Sequence, residues 1–246
     1  MNNSHAAQSL LPLRSEAPGR SFRAREFLAH RHEAPRAIWL IEDGWAARFK
    51  LLRDGRRHIS RFYAPGDLCD LSWLVTDAAD QSVVALTSVR AARLDRQRLD
   101  TRMGIDPDLS VTVARDALAE LRAQAEWLIT LGCKSACEKI AHFLCELYVR
   151  LERRGQAREH ICDFPLSQQD VADFTGMTAV HACRTLRELR EEAVIELRRR
   201  RLRIVDFAKL ARIGSFDAHY LDAEFEDAPS PRGPFAAPAS ALSATN

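Results

Sequence analysis

The sequence predicts an α+β fold with an N-terminal antiparallel β-roll, one long helix and a C-terminal winged helix-turn-helix. Short apolar runs separated by glycine-containing turns fill the first part of the chain, as in antiparallel β structure. A stripe of apolar residues at heptad spacing then indicates a long helix. Two capped helices and two short strands around four arginines complete the pattern. We therefore divide the chain into a flexible N-terminus (1–20), the roll (21–103), a dimerisation helix (104–133), the winged helix-turn-helix (134–210) and an extension (211–246) expected to be largely disordered after 226.

The roll prediction rests on apolar runs that alternate with turn signals between about residues 22 and 94. The runs cover 37–41, 46–52, 59–63 and 83–92. Turn signals occur between them at Asp43-Gly44, Asp54-Gly55 and Pro65-Gly66-Asp67. Several short strands at this spacing are typical of an antiparallel barrel or roll.

The long helix is predicted from about residue 106 to 131, with Gly132 ending it. Its apolar stripe repeats at alternating spacings of four and three residues, through Ala114, Leu118, Leu121, Ala125 and Leu128. Such a stripe could pack on the helix's own domain. Small alanines within a heptad seam instead favour the close approach of an identical helix, so we expect a homodimer.

A second capped helix opens the C-terminal part of the chain. Ser135 and Glu138 have the spacing of a capping box, and Gly155 closes the helix. We expect this helix to be the scaffold of the domain that follows, through an apolar face formed by Ile140, Leu144, Leu147, Tyr148 and Leu151.

The helix-turn-helix is predicted from its caps. Ser167 can cap a first helix, with Asp170 in the reciprocal capping position, and Gly176 ends that helix. Thr178 caps a second helix that begins at Ala179. Two helices joined by a short glycine-containing turn form the unit with which many proteins read DNA.

A basic wing follows the second helix. Strands at Ile195–Leu197 and Leu202–Val205 flank the run Arg198 to Arg201. From residue 184 to 212 there are ten basic residues against five acidic ones, a net charge of +5 in a chain whose total is +2. Positive charge is thus concentrated where DNA phosphates would lie. The turn at Arg199-Arg200 lacks the glycine expected of a tight hairpin, which leaves its geometry open.

Composition excludes several other classes. The chain has no apolar run long enough to cross a bilayer, and its first residues lack the basic and apolar regions of a secretory leader. Six cysteines lie mostly within helical apolar patterns, so we expect reduced thiols in a cytoplasmic protein without disulfides or membrane contact. The near balance of 36 basic and 34 acidic residues argues against indiscriminate coating of nucleic acid.

A resemblance carries the interpretation further, from about residue 22 to 221. The chain resembles the Crp/Fnr family of bacterial transcription regulators in the segments Gly44-Trp45-Ala46, Pro65-Gly66-Asp67-Leu68-Cys69-Asp70-Leu71, Leu166-Ser167-Gln168-Gln169-Asp170-Val171-Ala172 and Arg184-Thr185-Leu186-Arg187. The resemblance implies a homodimer that reads a palindromic site on double-stranded DNA, with one reader helix of each subunit in successive major grooves. It also implies contact with RNA polymerase.

The resemblance assigns roles within the reading surface. Arg184 matches the arginine that reads guanine, because a guanidinium can bond O6 and N7 together. Where many relatives have glutamate this chain has Val180, for which a thymine methyl is the better partner. His181 could touch phosphate or base, or lie uncharged on the helix surface. Phosphate contacts match Ser167, Gln168, Gln169 and Thr178, and the predicted surface also includes Ala179, Arg187, Arg199 and Arg200.

The effector of the roll is left open. Relatives that bind cyclic nucleotides carry Gly-Glu and Arg-Ser pairs where this chain has Asp70-Leu71 and Gln81-Ser82. Both charged contacts are missing, so we do not expect cyclic AMP to bind, although an unknown small effector could. No cysteine precedes Cys69 to hold an iron–sulfur cluster, and no histidine follows Cys69 closely enough for haem. We therefore predict no cofactor, with Asp70, Leu71, Gln81 and Ser82 as candidate effector-pocket residues.

The cysteines around the junction of the long helix and the helix that opens the C-terminal part do not indicate a metal site. On a straight helix His142 lies roughly opposite Cys133, so these two cannot share one zinc ion with Cys137 and Cys145. Redox sensing by Cys133 or Cys137 stays open beside a plain role in apolar packing.

Two further classes of function fit less well. A ligand-binding or scaffold module that had lost DNA binding would not need the arginines of the reader helix and wing. An enzyme would need catalytic side chains at a recognisable spacing. The sequence has no nucleophile elbow, P-loop, HExxH motif or paired carboxylates.

Overall fold

The computed structural model describes residues 18–221. The disordered tail predicted after residue 226 lies outside this range, as do residues 1–17 of the predicted flexible N-terminus. Gly19 and Arg20, which were predicted to belong to that flexible segment, instead pair with Ala92 and Ala91 as part of a first strand.

The roll contains eight strands in two four-stranded antiparallel sheets. One sheet has the order β1-β8-β3-β6 and the other β2-β7-β4-β5. The strands are β1 (Gly19–Phe22), β2 (Phe27–Ala29), β3 (Ala37–Asp43), β4 (Ala46–Leu51), β5 (Arg57–Tyr63), β6 (Leu68–Cys69), β7 (Ser82–Ala85) and β8 (Val89–Asp95). A 3-10 turn at Leu71–Leu74 follows β6, with the Asp70 side chain as its cap. The predicted β-roll is confirmed.

One predicted strand is two. The apolar run at 83–92 divides into β7 and β8, because the chain turns at residues 86–88. Trp45 holds this turn, since its carbonyl accepts hydrogen bonds from the backbone N–H groups of Leu86 and Thr87. Gly44 makes the close approach possible: a Cβ there would lie 2.0 Å from the Ser88 carbonyl oxygen.

Two helices follow the roll. The first, α1 (Arg96–Ile105), is capped by Asp95 and was not predicted from the sequence. The long helix α2 (Pro107–Cys133) begins after its cap Asp106, as predicted. Its predicted end is wrong, because Gly132 lies within the helix and the backbone becomes extended only at Lys134.

The C-terminal half is built around α3 (Ala136–Arg153), whose predicted capping box forms between Ser135 and Glu138. A third antiparallel sheet has the order β11-β12-β10-β9. The remaining elements are β9 (Ala157–Arg158), β10 (Ile161–Asp163), α4 (Gln168–Thr175), α5 (Ala179–Glu191), β11 (Ile195–Arg198), β12 (Arg201–Ile204) and α6 (Phe207–Gly214). The sequence did not predict β9, β10 or α6. Helix α6 packs so tightly on α3 that a Cβ at Gly214 would lie 2.5 Å from the His142 nitrogen.

The roll and the C-terminal half share an aromatic core. The Phe174 ring on α4 lies 5.0 Å from Phe62 on β5 and 4.4 Å from Trp127 on α2. Phe143 on α3 closes the group at 4.9 Å from Phe174. Each major element therefore contributes one ring to the junction. Among residues 18–221, no helix is long and apolar enough to cross a membrane.

Candidate nucleic-acid interface

The helix-turn-helix forms with its predicted caps. The Asp170 N–H donates to Ser167 Oγ at 3.1 Å, and the Asp170 carboxylate accepts the Ser167 N–H at 3.0 Å. Gly176 then ends α4 in the left-handed conformation, at φ 68°. Thr178 starts α5 by accepting the His181 N–H at 3.2 Å. Local capping thus sets the angle at which α5 leaves α4.

Helix α5 has a buried and an open face. Ala182, Leu186 and Leu189 anchor it in the core, as expected for its apolar stripe. On the opposite side Val180 is 80% exposed, and Arg184, one turn further on, is exposed as well. Within residues 18–221 the Arg184 guanidinium has neither a hydrogen bond nor an ion pair, so all of its donors are available to a ligand.

The other candidates on α5 are less open. Ala179 and His181 are half-buried in its first turn, and Thr178 is exposed. Arg187 is exposed but already pairs with Glu191 at 2.7 Å, one turn away on the same helix. That pair would have to open for Arg187 to bond a phosphate or a base.

The candidate phosphate contacts surround the N-terminus of α4. Ser167, Gln168 and Gln169 are all exposed there. The Gln169 amide is held in place, since it donates to the Asp173 carboxylate at 2.6 Å. Free backbone N–H groups at a helix N-terminus, together with hydroxyl and amide side chains, form a natural cradle for phosphate oxygens.

The wing is a two-residue hairpin with an unusual turn. Arg198 and Arg201 pair across it, and the two residues between them, Arg199 and Arg200, have φ values of 50° and 61°. Both dihedrals are those of a type I′ turn, which normally takes Asn-Gly or Gly-Gly. The guanidinium groups of Arg198, Arg199 and Arg200 make no hydrogen bond or ion pair with the described chain. The wing thus carries three free cations at its tip.

A residue of the roll also belongs to this site, and sequence reasoning missed it. Arg57, at the start of β5, contacts Asp170 at 2.6 Å and Asp173 at 2.5 Å on α4. The only local signal was its place beside the Asp54-Gly55 turn. Its partners lie more than a hundred residues away along the chain, which no local pattern reveals.

The effector-pocket candidates do not line one pocket. Leu71 packs into the roll core and borders a cleft beside Asp67 and α3. Gln81 borders a different cleft, of about 220 Å³, between the roll and α2. The Ser82 hydroxyl accepts a hydrogen bond from the backbone N–H of Arg31, at 3.0 Å. Asp70 is buried and occupied by an ion pair.

The ion pair of Asp70 with Arg48 is buried inside the roll. Arg48 is buried and contacts Asp70 at 2.7 Å and Glu120 of α2 at 2.9 Å. Its Nε donates to Ser60, whose hydroxyl in turn donates to Gln81 at 2.7 Å. The chain's own charges therefore satisfy one another at this end of the cleft, where a cyclic nucleotide would need an unpaired cation.

Cys133 and Cys137 lie at the junction of α2 and α3. Among the described residues, no group of three or more His, Cys, Asp or Glu side chains could hold a metal ion. Cys133 is exposed and Cys137 is half-buried. Burial, together with Glu188, Glu192 and Glu138 nearby, raises the pKa of the Cys137 thiol, which lowers its thiolate content and its reactivity.

The predicted dimer stripe is open to solvent. Leu118, Leu121 and Leu128 are exposed on α2, as are Ala114 and Ala125 of the same stripe. Val113 and Trp127 bury the opposite side of the same helix. In this protomer α2 therefore presents an apolar stripe that its own core does not cover.

Two domain families match parts of the chain. The cyclic nucleotide-binding domain family matches residues 19–104, and the Crp-like helix-turn-helix domain family matches residues 138–213. The FixK2 structure from Bradyrhizobium japonicum superposes with a TM-score of 0.72 over 80% of this chain and 96% of that one, at 24% identity. That likeness shows a shared fold.

Relatives in sequence extend the comparison to function. The nitrogen fixation regulation protein FixK of Azorhizobium caulinodans is 33% identical over 72% of this chain and 71% of its own length. The transcriptional activator protein FnrL of Cereibacter sphaeroides is 30% identical over 69% of each chain. With this coverage and both domain families matched, the chain belongs to the Crp/Fnr family of transcription regulators, which are DNA-binding proteins and not enzymes.

Proposed function

We propose that this protein binds a palindromic DNA site as a homodimer in the cytoplasm and regulates transcription there, with residues 134–210 reading DNA and residues 21–103 sensing an effector. The observation that carries the proposal is Arg184, an exposed guanidinium without a partner in the described chain. It projects from the second turn of a capped helix that packs against α4. Arginine in this setting is the side chain best suited to read guanine.

One base of the proposed operator follows from Val180, the residue one turn before Arg184. Val180 lies one turn before it on the same face, and its methyl groups suit the C5-methyl of thymine. A valine cannot accept a hydrogen bond from cytosine N4, as a glutamate could. The preferred half-site therefore places a thymine, not a cytosine, opposite Val180.

A two-fold symmetric dimer of this chain would match the symmetry of a palindromic DNA site. The exposed stripe on α2 would pair with its symmetry mate and place two α5 helices about 34 Å apart, the spacing of successive major grooves. Contact with RNA polymerase is proposed from the family alone. The Arg48–Asp70 pair and the absence of a charged side chain at Leu71 and Gln81 support an effector other than cyclic AMP.

Selection of binding sites from random DNA, followed by substitution, tests the reading surface. We expect Arg184→Ala to weaken binding to the selected palindrome by about 1–3 kcal/mol and to relax specificity at one base pair per half-site. Arg199→Ala is the matched control, because losing a phosphate contact weakens all sequences alike. An Arg184→Ala protein with unchanged affinity and motif would refute the reading register. A wild-type protein that binds no duplex would favour the scaffold alternative.

A further inference from the structure

Arg57 joins the roll to the DNA-reading helices through two ion pairs. Its Nη2 contacts Asp170 Oδ1 at 2.6 Å, and its Nε contacts Asp173 Oδ2 at 2.5 Å. The Arg57 side chain is 26% exposed, and those of Asp170 and Asp173 are 12% and 9% exposed. The guanidinium therefore holds two partly desolvated carboxylates one turn apart on α4, where the pairing is stronger than on an open surface.

The second oxygen of each carboxylate leads to the candidate phosphate contacts. Asp170 Oδ2 accepts both the N–H of Ser167, at 3.0 Å, and its hydroxyl, at 2.6 Å. Asp173 Oδ1 accepts the Gln169 amide at 2.6 Å. One arginine of the roll is thus linked through a single carboxylate to each of two candidate phosphate contacts, Ser167 and Gln169.

We propose that Arg57 is a positioning residue for DNA binding: it neutralises Asp170 and Asp173 and so keeps the N-terminus of α4 attractive to phosphate. This proposal rests on the DNA-binding function proposed above. Without Arg57, two uncompensated carboxylates would lie beside the site where a phosphate binds, and their charge would oppose the free N–H groups of the helix.

The test compares Arg57→Ala with Arg56→Ala by fluorescence anisotropy on the selected operator and on a scrambled duplex. Arg56 is the matched control, since it is an exposed neighbour whose side chain, among residues 18–221, pairs only with Asp54 in its own turn. We expect Arg57→Ala to raise Kd about tenfold on both duplexes, without changing the selected motif, because phosphate contacts carry no sequence information. Arg56→Ala should stay within about twofold of the wild type.

A second variant separates charge compensation from simple packing. Asp173→Asn removes one carboxylate yet keeps an oxygen that can accept the Gln169 amide. In the Arg57→Ala background it should recover about threefold of the tenfold loss, because Asp170 stays uncompensated, whereas it should leave the wild type no weaker. Loss of packing between hairpin and α4 would not be rescued in this way. Should Arg57→Ala melt near the assay temperature, Arg57→Gln, which keeps most of the side-chain length, takes its place.

The outcomes are distinguishable. Unchanged or tighter binding by Arg57→Ala, or a loss of binding that Asp173→Asn fails to rescue, overturns the proposal while leaving DNA binding intact. A wild-type protein that binds neither duplex overturns the proposed function, and this proposal with it.

Discussion

Two arginines of the wing, Arg199 and Arg200, place positive charge where the backbone conformation is unfavourable. Arg199 and Arg200 both adopt left-handed dihedrals, which cost a non-glycine residue about 1 kcal/mol each. Their guanidinium groups gain nothing in return from the described part of the protein. The unfavourable backbone is explained if the two charges bind a partner outside the chain, such as the phosphates of DNA.

Replacing the turn by Arg199→Asn and Arg200→Gly should therefore move stability and DNA binding in opposite directions. We expect the free energy of unfolding to rise by about 1 kcal/mol, since Asn-Gly is preferred in a type I′ turn. DNA affinity should fall on every sequence alike. Thermal melting and anisotropy measure the two effects. The double alanine variant is the control, because it removes the charges without relieving the backbone and should show only the loss of affinity. A double variant that bound DNA normally would exclude the wing tip from the interface.

At the scale of elements, one buried carboxylate fastens the Pro65-Gly66-Asp67 turn of the roll to α3. Asp67 is 1% exposed and contacts Arg154 at 2.6 Å and Arg150 at 3.5 Å. Burial alone would raise the pKa of Asp67, but Arg154, Arg150 and Arg61 together lower it to about 2. The ionised carboxylate is thus a net contributor to the contact between roll and α3.

This contact should make stability depend on pH in a defined window. The pKa of Asp67 is about 2 in the folded chain and 3.8 ordinarily, so its contribution is complete above about pH 4 and is lost as the pH falls to about 2. The difference corresponds to about 2 kcal/mol. We expect Asp67→Asn to lower the free energy of unfolding by about that amount at pH 7, with the gap to wild type closing below pH 4.

Urea unfolding at pH 7, 4 and 2.5 measures that gap. Asp77→Asn is the control, because Asp77 is an exposed carboxylate and its loss should shift stability little at any of the three. A gap for Asp67→Asn that stayed constant from pH 7 to 2.5 would show that shape, not ionisation, matters in the turn.

At the scale of the whole molecule, the exposed apolar stripe of α2 supports the proposed homodimer. Leu121 is 62% exposed in the middle of that stripe. Pairing two such helices would bury it near a two-fold axis. The separation of the two α5 helices, and with it the fit to DNA, would then depend on the geometry of this seam.

Leu121→Lys tests the assembly. Two ammonium groups without partners near the axis are costly to bury, so we expect a monomer that keeps weak half-site contact but loses tight binding to the palindrome. Light scattering and anisotropy report the two properties. Val75→Lys, at an 85% exposed apolar residue outside the stripe, should remain dimeric. If Leu121→Lys stayed a dimer with full operator affinity, the interface would have to lie elsewhere.

Local sequence predicted most of the fold, including the helix caps that shape the candidate reading surface. Ser167 with Asp170, Ser135 with Glu138, and the stop at Gly176 were all predicted because a cap or a turn is decided within three or four residues. The elements that were missed carry weak local signals. Helix α1 is largely polar, and β9 and β10 are two and three residues long. The turn inside 83–92 contains neither glycine nor proline.

Only the tertiary structure decided which distant groups meet. The sequence determined the capped helices, the basic wing and the exposed Arg184, because periodicity and capping act over a single turn. It could not pair Arg57 with Asp170 and Asp173, or Arg48 with Asp70 and Glu120, since charges find partners across loops of any length and many pairings are possible along one chain. The packing of the roll against α2 and α4 selects among them, because it brings those side chains within bonding distance and removes them from water.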